Sequence, residues 1–294
     1  MKIQNFINDD FAEPISGNYF DNITPVTGEV YSQIPDSDSS DINLAVASAK
    51  EAFKSWSKLS KNVRYDHIMR LADEIEAHFD ELVEAESKDN GKPEWLARSV
   101  DIPRASENFR FFATASLHFD SEIHEMDGKA LNYTLRQPVG VVGCISPWNL
   151  PLYLLTWKIA PALAAGNTVV AKPSEITPMT AYLFSKICQK ADFPKGVINI
   201  VLGYGHKVGD ALSRHPDVPI ISFTGGTATG EKIAAVAAPM FKKLSLEMGG
   251  KNPNIIFENA DFDNAVKNVC QSGFFQPGAD LPLRLPTICS GIHL

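Results

Sequence analysis

Cysteine is scarce in this chain. The four that occur, Cys144, Cys188, Cys270 and Cys289, have neither the close spacing of metal ligands nor the pattern of a disulfide framework. That argues against a disulfide-stapled secreted scaffold and a zinc module, and it predicts a soluble protein of a reducing cytoplasm with no bound metal. Long apolar runs are missing too. The most apolar window, Val139 to Trp157, is interrupted by Pro147, Asn149 and Pro151, which suits a buried element better than a membrane span, so no membrane association is expected. Near the start, Asp9 and Asp10 stand where an export signal needs an apolar stretch, and export is not expected. Basic charge is the third shortage. Lys and Arg number 27 against 35 Asp and Glu and are scattered, so the chain carries no phosphate-backbone footprint and nucleic acid is not an expected partner. Internal repeats and low-complexity tracts are absent.

What is present is a globular composition, 44% hydrophobic over 294 residues, enough for one large α/β unit or two ordinary domains. Apolar residues at Ile42, Ala45, Val46, Ala49, Phe53 and Trp56 recur at helical steps, with Ser39, Ser40 and Asp41 as candidate N-caps. A second helix is predicted from about Asn62 through Ile68, Leu71, Ile75, Phe79 and Leu82 to Asn90-Gly91, and a third from Pro103 to Leu117. An extended start is expected between Ile3 and Ile34. After the alternating stretch "LNYTLRQPVGVVGCIS", strand-like segments ("NTVVAK", "VINIVLG", "VPIISFTG", "FKKLSLEMG", "NPNIIFEN") alternate with helix-like ones ("YLLTWKIAPALAAG", "TPMTAYLFSKICQKAD", "HKVGDALSRH", "TGEKIAAVAA", "DFDNAVKNVCQSGF"). Strict alternation predicts an α/β fold: a parallel Rossmann-type sheet with helices on both faces, preceded by a helical N-terminal region, with ligands at the carboxyl ends of the strands.

Several polar groups fall at those strand ends. In "ISPWN", the Asn149 amide can donate to an oxyanion, although Asn between prolines also suits a plain turn. In "AKPSE", Lys172 and Glu175 offer a donor and an acceptor to the two hydroxyls of a ribose; the alternative is a solvated loop. "GYGHKVG" (Gly203, Gly205, Gly209) has one residue too many for the dinucleotide fingerprint. "FTGGTATG" fits a phosphate turn better: Gly225 and Gly226 allow close approach to a pyrophosphate, Thr227 brings a hydroxyl, and a helix N-terminus follows, though an ordinary Gly-rich turn reads the same way. In "LEMGGKNP", Glu247 is a carboxylate at a strand end beside Gly249 and Gly250, a candidate general base or an exposed charge.

Taken in order, these stretches resemble the aldehyde dehydrogenase family, from near the start of the chain to about Gln276. The resemblance implies NAD-dependent oxidation of an aldehyde to a carboxylic acid. It gives Asn149 the oxyanion, Lys172 and Glu175 the adenosine ribose, Gly225, Gly226, Thr227 and Gly230 the pyrophosphate region, and Glu247 the activation of the hydrolytic water. Ser146, Trp148 and Ser174 join the cofactor contacts on the same ground. "GYGHKVG" is then not the main phosphate site, and Glu175 favours NAD over NADP because a carboxylate repels a 2′-phosphate. The run "PWNLPLYLLTWKIAPALAAGNTVVAKPSE" looks most like the branch acting on muconic semialdehydes, in which an arginine of a segment like "ENFRFFA" grips the substrate carboxylate. Arg110 is that candidate, with a helix-surface arginine as the alternative. The implied domains are an NAD-binding domain over residues 1–118 and 138–248, a bridging hairpin over 119–137 used in homo-oligomers, and the start of a catalytic domain over 249–276.

The nucleophile is missing from this pattern. Counted from Glu247, the family's catalytic cysteine falls at position 281, which is Leu281, and Cys289 lies in unrelated sequence. The expectation is therefore an incomplete catalytic domain, an aberrant tail over 277–294, and no dehydrogenase turnover. The alternative is a non-catalytic NAD-binding or interaction protein that kept the fold. With synonymous codons chosen to suit, Phe275 to Pro286 can be written so that deleting one C after the Phe275 codon yields "FNQGQICLCGSR", whose first cysteine stands at position 281. A single-nucleotide frameshift is the hypothesis this motivates. Sequencing the source DNA across codons 274 to 282 is expected to reveal the displaced frame; an uninterrupted frame with no cysteine codon in register at 281 would sink it.

Overall fold

The computed structural model describes residues 1–250, 255–257 and 259–274. The chain divides into two units, Met1–Glu247 and Met248–Leu294. In order, the elements are β1 (Asn5–Ile7), β2 (Asp10–Ala12), β3 (Tyr19–Ile23), β4 (Val30–Pro35), α1 (Ser39–Trp56), α2 (Lys61–Ala77), α3 (Phe79–Asn90) and the short α4 (Glu94–Leu96). A π-helical turn at Ala97–Asp101 leads into α5 (Ile102–Leu117), followed by β5 (Ile123–Met126), β6 (Ala130–Tyr133), β7 (Val141–Ile145), α6 (Pro151–Ala164), β8 (Thr168–Lys172), α7 (Met179–Lys190) and β9 (Ile198–Ile200). A second π-helical turn at Gly205–Gly209 precedes α8 (Asp210–Arg214), and β10 (Ile220–Gly225), α9 (Thr227–Ala237), β11 (Lys243–Met248) and α10 (Phe262–Phe274) complete the described residues.

The main sheet has the order β11-β10-β7-β8-β9-β1-β2. Strands β10, β7, β8 and β9 pair in parallel, as the alternating sequence predicts, while β1 pairs antiparallel with both β9 and β2. The sheet is thus mixed at the edge formed by the extended start of the chain. Strands β7 and β8 are buried along their whole length, which is why they read as continuous apolar runs. Their side chains sort by strand alternation into two cores. Val142, Cys144, Val169 and Ala171 pack with α2, α3, α5, α6 and α7 on one face. Val141, Ile145 and Val170 pack with α1, α8 and α9 on the other. Each fully buried side chain such as Phe109 or Ile159 contributes roughly 1.5–3 kcal/mol. Gly143 lies mid-strand in β7 because a Cβ there would stand 2.7 Å from Ile221 Cδ1 and 3.2 Å from Leu212 and Val218.

Three expectations are corrected in detail. Asp38, one residue before the predicted caps, caps α1: its carboxylate accepts from the Ser40 N–H at 2.7 Å, and Asp41 reaches back to the Asp38 N–H at 3.0 Å. The long helix predicted to Asn90 is two helices, broken at His78, whose φ of −107° and ψ of 24° leave the helical region. No Gly or Pro marks that break; the His78 N–H and ring both engage the Glu74 carbonyl and close α2. The segment "NPNIIFEN" forms no strand over residues 255–257, and its remaining positions lie outside the described residues except for Asn259 in a turn. Residues 119–137 hold the exposed antiparallel hairpin of β5 and β6. The tail at 277–294, with Leu281, lies outside the described residues.

Candidate cofactor and catalytic site

The path of the chain through the sheet sets a topological switch point between β7 and β10. From β7 it steps through α6 to β8 and through α7 to β9, all on one side; then α8 carries it over the other face and β10 pairs on the far side of β7. The connections leaving β7 and β10 diverge, and such a reversal of strand order is where parallel sheets hold ligands. The polar residues singled out in the sequence stand at these strand ends: Ser146 to Asn149 after β7, Lys172 to Glu175 from the last residue of β8, Gly203 to Gly205 after β9, and Thr224 to Thr227 from the last two residues of β10.

Lys172 and Glu175 form an ion pair, with Lys172 buried and Glu175 half-buried. Burial pushes the Lys172 ammonium below its usual range. Burial also pushes the Glu175 carboxyl up, but the Lys172 charge and hydrogen bonds, one of them from the Gly205 N–H at 3.2 Å, outweigh it and the net shift is down. A Cβ on Gly205 would meet Glu175 Oε1 and Lys172 Nζ at 3.7 Å each, so the loop of the irregular glycine motif closes over this pair. Ser146 donates its N–H to the Lys172 carbonyl at 3.2 Å, and its Oγ is buried with no hydrogen-bond partner among the described residues. Ser174 Oγ accepts from the Ile176 N–H at 3.2 Å and shapes the turn. A donor and an acceptor side by side, an unsatisfied hydroxyl and a glycine loop fit the ribose of a dinucleotide.

At the end of β10, Gly226 caps α9, its carbonyl accepting from the Thr229 and Gly230 N–H groups. Gly226 and Thr227 are exposed, and the first turn of this 11-residue helix carries no acidic residue, so its free N–H groups suit an anion. Gly225 has an internal reason besides: a Cβ there would lie 2.5 Å from the Phe223 ring.

Asn149 and Trp148 are half-buried in a turn that is held from outside. Asn90 Nδ2 donates to the Trp148 carbonyl at 2.7 Å, and Lys92 Nζ donates to the Asn149 carbonyl at 3.1 Å. Lys92 is fully buried between Glu86 at 3.5 Å and Asp101 at 3.0 Å. Burial drives the Glu86 carboxyl up to about 7 against the pull of Lys92, and it raises Asp101 as well. Asp89, which accepts from Asn22 at 3.1 Å and from the Met179 N–H at 2.6 Å, is pushed up to about 7 for the same reason. Lys158, buried in α6, donates to Thr224 Oγ1 at 2.5 Å; burial lowers its pKa, and the nearby Cys144 and Glu247 oppose that shift. Burial holds the Cys144 thiol at about 12, so it stays protonated and unreactive. Glu247 is exposed near the end of β11.

Arg110 is committed elsewhere. It donates to both oxygens of Glu76, at 3.0 and 2.8 Å, and to Asp73 at 2.7 Å, tying α5 to α2. Arg104, two turns earlier in α5, is exposed and lies 5.3 Å over the ring of Tyr153, with Nη2 3.3 Å from the tyrosine oxygen. Tyr153 belongs to α6, the helix that starts directly after Asn149 and Leu150, and it adjoins an aromatic group formed with Trp157 and Phe112. Sequence reasoning missed Lys92, Glu86, Asp101, Lys158 and Arg104. The available signal was position: Glu86 falls four residues after Leu82 and three after Val83, on the buried face of α3.

The profile of the Aldehyde dehydrogenase family matches residues 11–280, and the chain belongs to that family. It is similar to a "2-aminomuconic semialdehyde dehydrogenase" of Danio rerio, 54% identical over 279 residues, covering 95% of this chain and 57% of that protein. It is also similar to a "2-hydroxymuconic semialdehyde dehydrogenase" of Pseudomonas sp. (strain CF600), 45% identical over 283 residues, covering 94% of this chain and 58% of that protein. Among solved structures it matches an NAD+ complex of aldehyde dehydrogenase from Bacillus cereus with a TM-score of 0.92 and 40% identity, over 94% of this chain and 56% of that one. The chain thus spans little more than half the length of these relatives. No helix among the described residues is long and apolar enough to cross a membrane.

The buried carboxyls set a pH dependence. A carboxyl whose pKa is raised by folding lends stability that is complete below its unfolded value, near 4, and is lost as pH rises through its folded value of about 7. His67 and His215, lowered by burial, act in the opposite sense, so the difference between variant and wild type is the quantity to follow. Glu86→Gln is expected to gain on the wild type by on the order of 1–3 kcal/mol between pH 5 and 8, read by denaturant titration at each pH. A constant difference across that range would contradict the assignment.

Proposed function

We propose that this chain is the cofactor-binding part of an NAD-dependent aldehyde dehydrogenase whose substrate is a semialdehyde carrying a carboxylate, of the muconic kind named for its relatives. The observation that carries the proposal is the Lys172–Glu175 pair under the Gly205 loop, at the carboxyl ends of parallel strands beside the reversal of strand order. Lys172 and Glu175 would hold the adenosine ribose, with Ser146, Trp148 and Ser174 around them, and Gly225, Gly226, Thr227 and Gly230 would receive the pyrophosphate. NAD, when bound, supplies the electron acceptor. Asn149 would donate its side-chain amide to the oxyanion, and Glu247 would take a proton from the hydrolytic water. The domain assignment follows: residues 1–118 and 138–248 bind the cofactor, the 119–137 hairpin serves assembly of like chains, and 249–276 opens the catalytic domain of a cytoplasmic enzyme.

The carboxylate grip is better given to Arg104 than to Arg110. The Arg110 guanidinium is tied to two carboxylates, Glu76 and Asp73, whereas Arg104 pairs with a single exposed carboxylate, Glu107 at 3.2 Å, and meets the Tyr153 hydroxyl at 3.3 Å on the aromatic side of α6. With Leu281 in the nucleophile's place, this 294-residue chain forms no thioester and turns over no aldehyde, and the frameshift hypothesis accounts for that tail. A non-catalytic NAD-binding protein is the second reading, favoured by the two cores that residues up to Glu247 assemble by themselves.

Purified chain of verified intact mass is expected to gain roughly 5–10 °C in thermal midpoint at NAD concentrations one hundred times the dissociation constant. Lys172→Met and Glu175→Ala should each remove most of that gain, and aldehyde should yield no NADH. A wild type that NAD leaves unshifted would defeat the cofactor assignment, and measurable NADH formation would defeat the predicted inactivity. For the substrate grip, Arg104→Met is expected to weaken binding of an aliphatic dicarboxylate to the NAD-loaded chain about tenfold, the scale of one charge-assisted contact, with Arg110→Met near wild type by calorimetry. The reverse pattern would return the role to Arg110.

A further inference from the structure

We infer that Lys92 is a positioning residue for Asn149: its buried ammonium, held between Glu86 and Asp101, fixes the backbone carbonyl of the residue whose side chain is to meet the oxyanion. The inference rests on the oxyanion role proposed for Asn149, but the placement of that residue is a separate physical claim. The turn from Pro147 to Pro151 is poor in donors of its own, since neither proline has an N–H. Two successive carbonyls of this turn are instead held by the last residue of α3 and by a residue just beyond its cap. Asn90 takes Trp148 at 2.7 Å and Lys92 takes Asn149 at 3.1 Å. Between these two donors, Gly91 ends α3 with φ of 78°, a left-handed conformation that suits glycine and turns the chain sharply there. The stretch Asn90-Gly91-Lys92 is therefore a clamp on the turn bearing Asn149.

The donor count supports this. An ammonium has three N–H groups, and those of Lys92 have three acceptors in Asp101 Oδ1, Glu86 Oε1 and the Asn149 carbonyl. The two carboxylates orient the ammonium, and the third donor is left for the turn. Asp101 Oδ2 is buried with no hydrogen-bond partner among the described residues, an energetic cost that packing alone does not require. Ser87 Oγ donates to the Lys92 carbonyl at 2.6 Å and steadies the clamp from behind.

The test separates holding the fold from holding Asn149. Lys92→Met alone would leave two buried acids facing each other, so the informative variant is the neutral triple Lys92→Met/Glu86→Gln/Asp101→Asn, with Lys92→Gln/Asp101→Asn as a milder second. The sequence has two Asn–Leu steps, Asn43–Leu44 in α1 and Asn149–Leu150 in the clamped turn. Labelling Asn with carbonyl 13C and Leu with 15N therefore gives two cross-peaks, one a control. In the wild-type 294-residue chain both are expected single and sharp. In the folded triple or double variant the Asn149–Leu150 peak should broaden or split while the Asn43–Leu44 peak stays single. Asp101→Asn alone, which keeps Lys92, should leave both single. A single sharp Asn149–Leu150 peak in the folded triple or double variant, at the old position or a new one, would overturn the inference, as would failure of both the triple and the double variant to fold, which would make Lys92 a residue of the fold. Absence of NAD binding by the wild type would count against the proposed function and leave this result standing.

Discussion

Two strands buried over their full length set the terms for the rest of this molecule. Because β7 and β8 are covered on both faces, they have no room for charge along their length, and polar chemistry is displaced to their carboxyl ends. There the parallel pairing of β10, β7, β8 and β9 puts every such end on one side of the sheet. The reversal of strand order at β7 then parts the connecting segments. The residues proposed for a ribose contact, an oxyanion donor and a phosphate turn, dispersed over roughly a quarter of the sequence, come to share one edge for that topological reason.

Three lysines that enter the interior are each held by a named partner. Lys172 leans on Glu175, Lys158 on the Thr224 hydroxyl, and Lys92 on Glu86 and Asp101. Such groups give the fold little net stability, because desolvation opposes the Coulomb attraction, yet removing one partner strands the other at a cost of about 3–5 kcal/mol. Their energetic leverage is on geometry. Arg110 differs in kind: a partly exposed guanidinium on two surface carboxylates, a contact that joins helices and engages three of its five N–H donors.

Much of this was legible in the order of the residues. The period of α1 and α5, the alternation of strand and helix after Val139, and the strand-end placement of Asn149, Lys172, Glu175 and Gly226 all followed from apolar spacing and turn chemistry. The break at His78 was not, because a side chain closing on the Glu74 carbonyl leaves no Gly or Pro behind. The choice between Arg104 and Arg110 was not either, since both sit on one helix and only their neighbours from α2 and α6 tell them apart.

Local sequence determined the elements, their caps and the chemical types available at each strand end, because those depend on groups a few residues apart. Tertiary structure alone decided which of those groups are held and which are spent. Lys92 looks like a solvated charge after a helix cap, and only its burial against Asp101 and the Asn149 carbonyl, 57 positions away in the chain, makes it part of a site. Desolvation and contact between distant residues are properties of packing, and the spacing of residues along a chain does not encode them one position at a time.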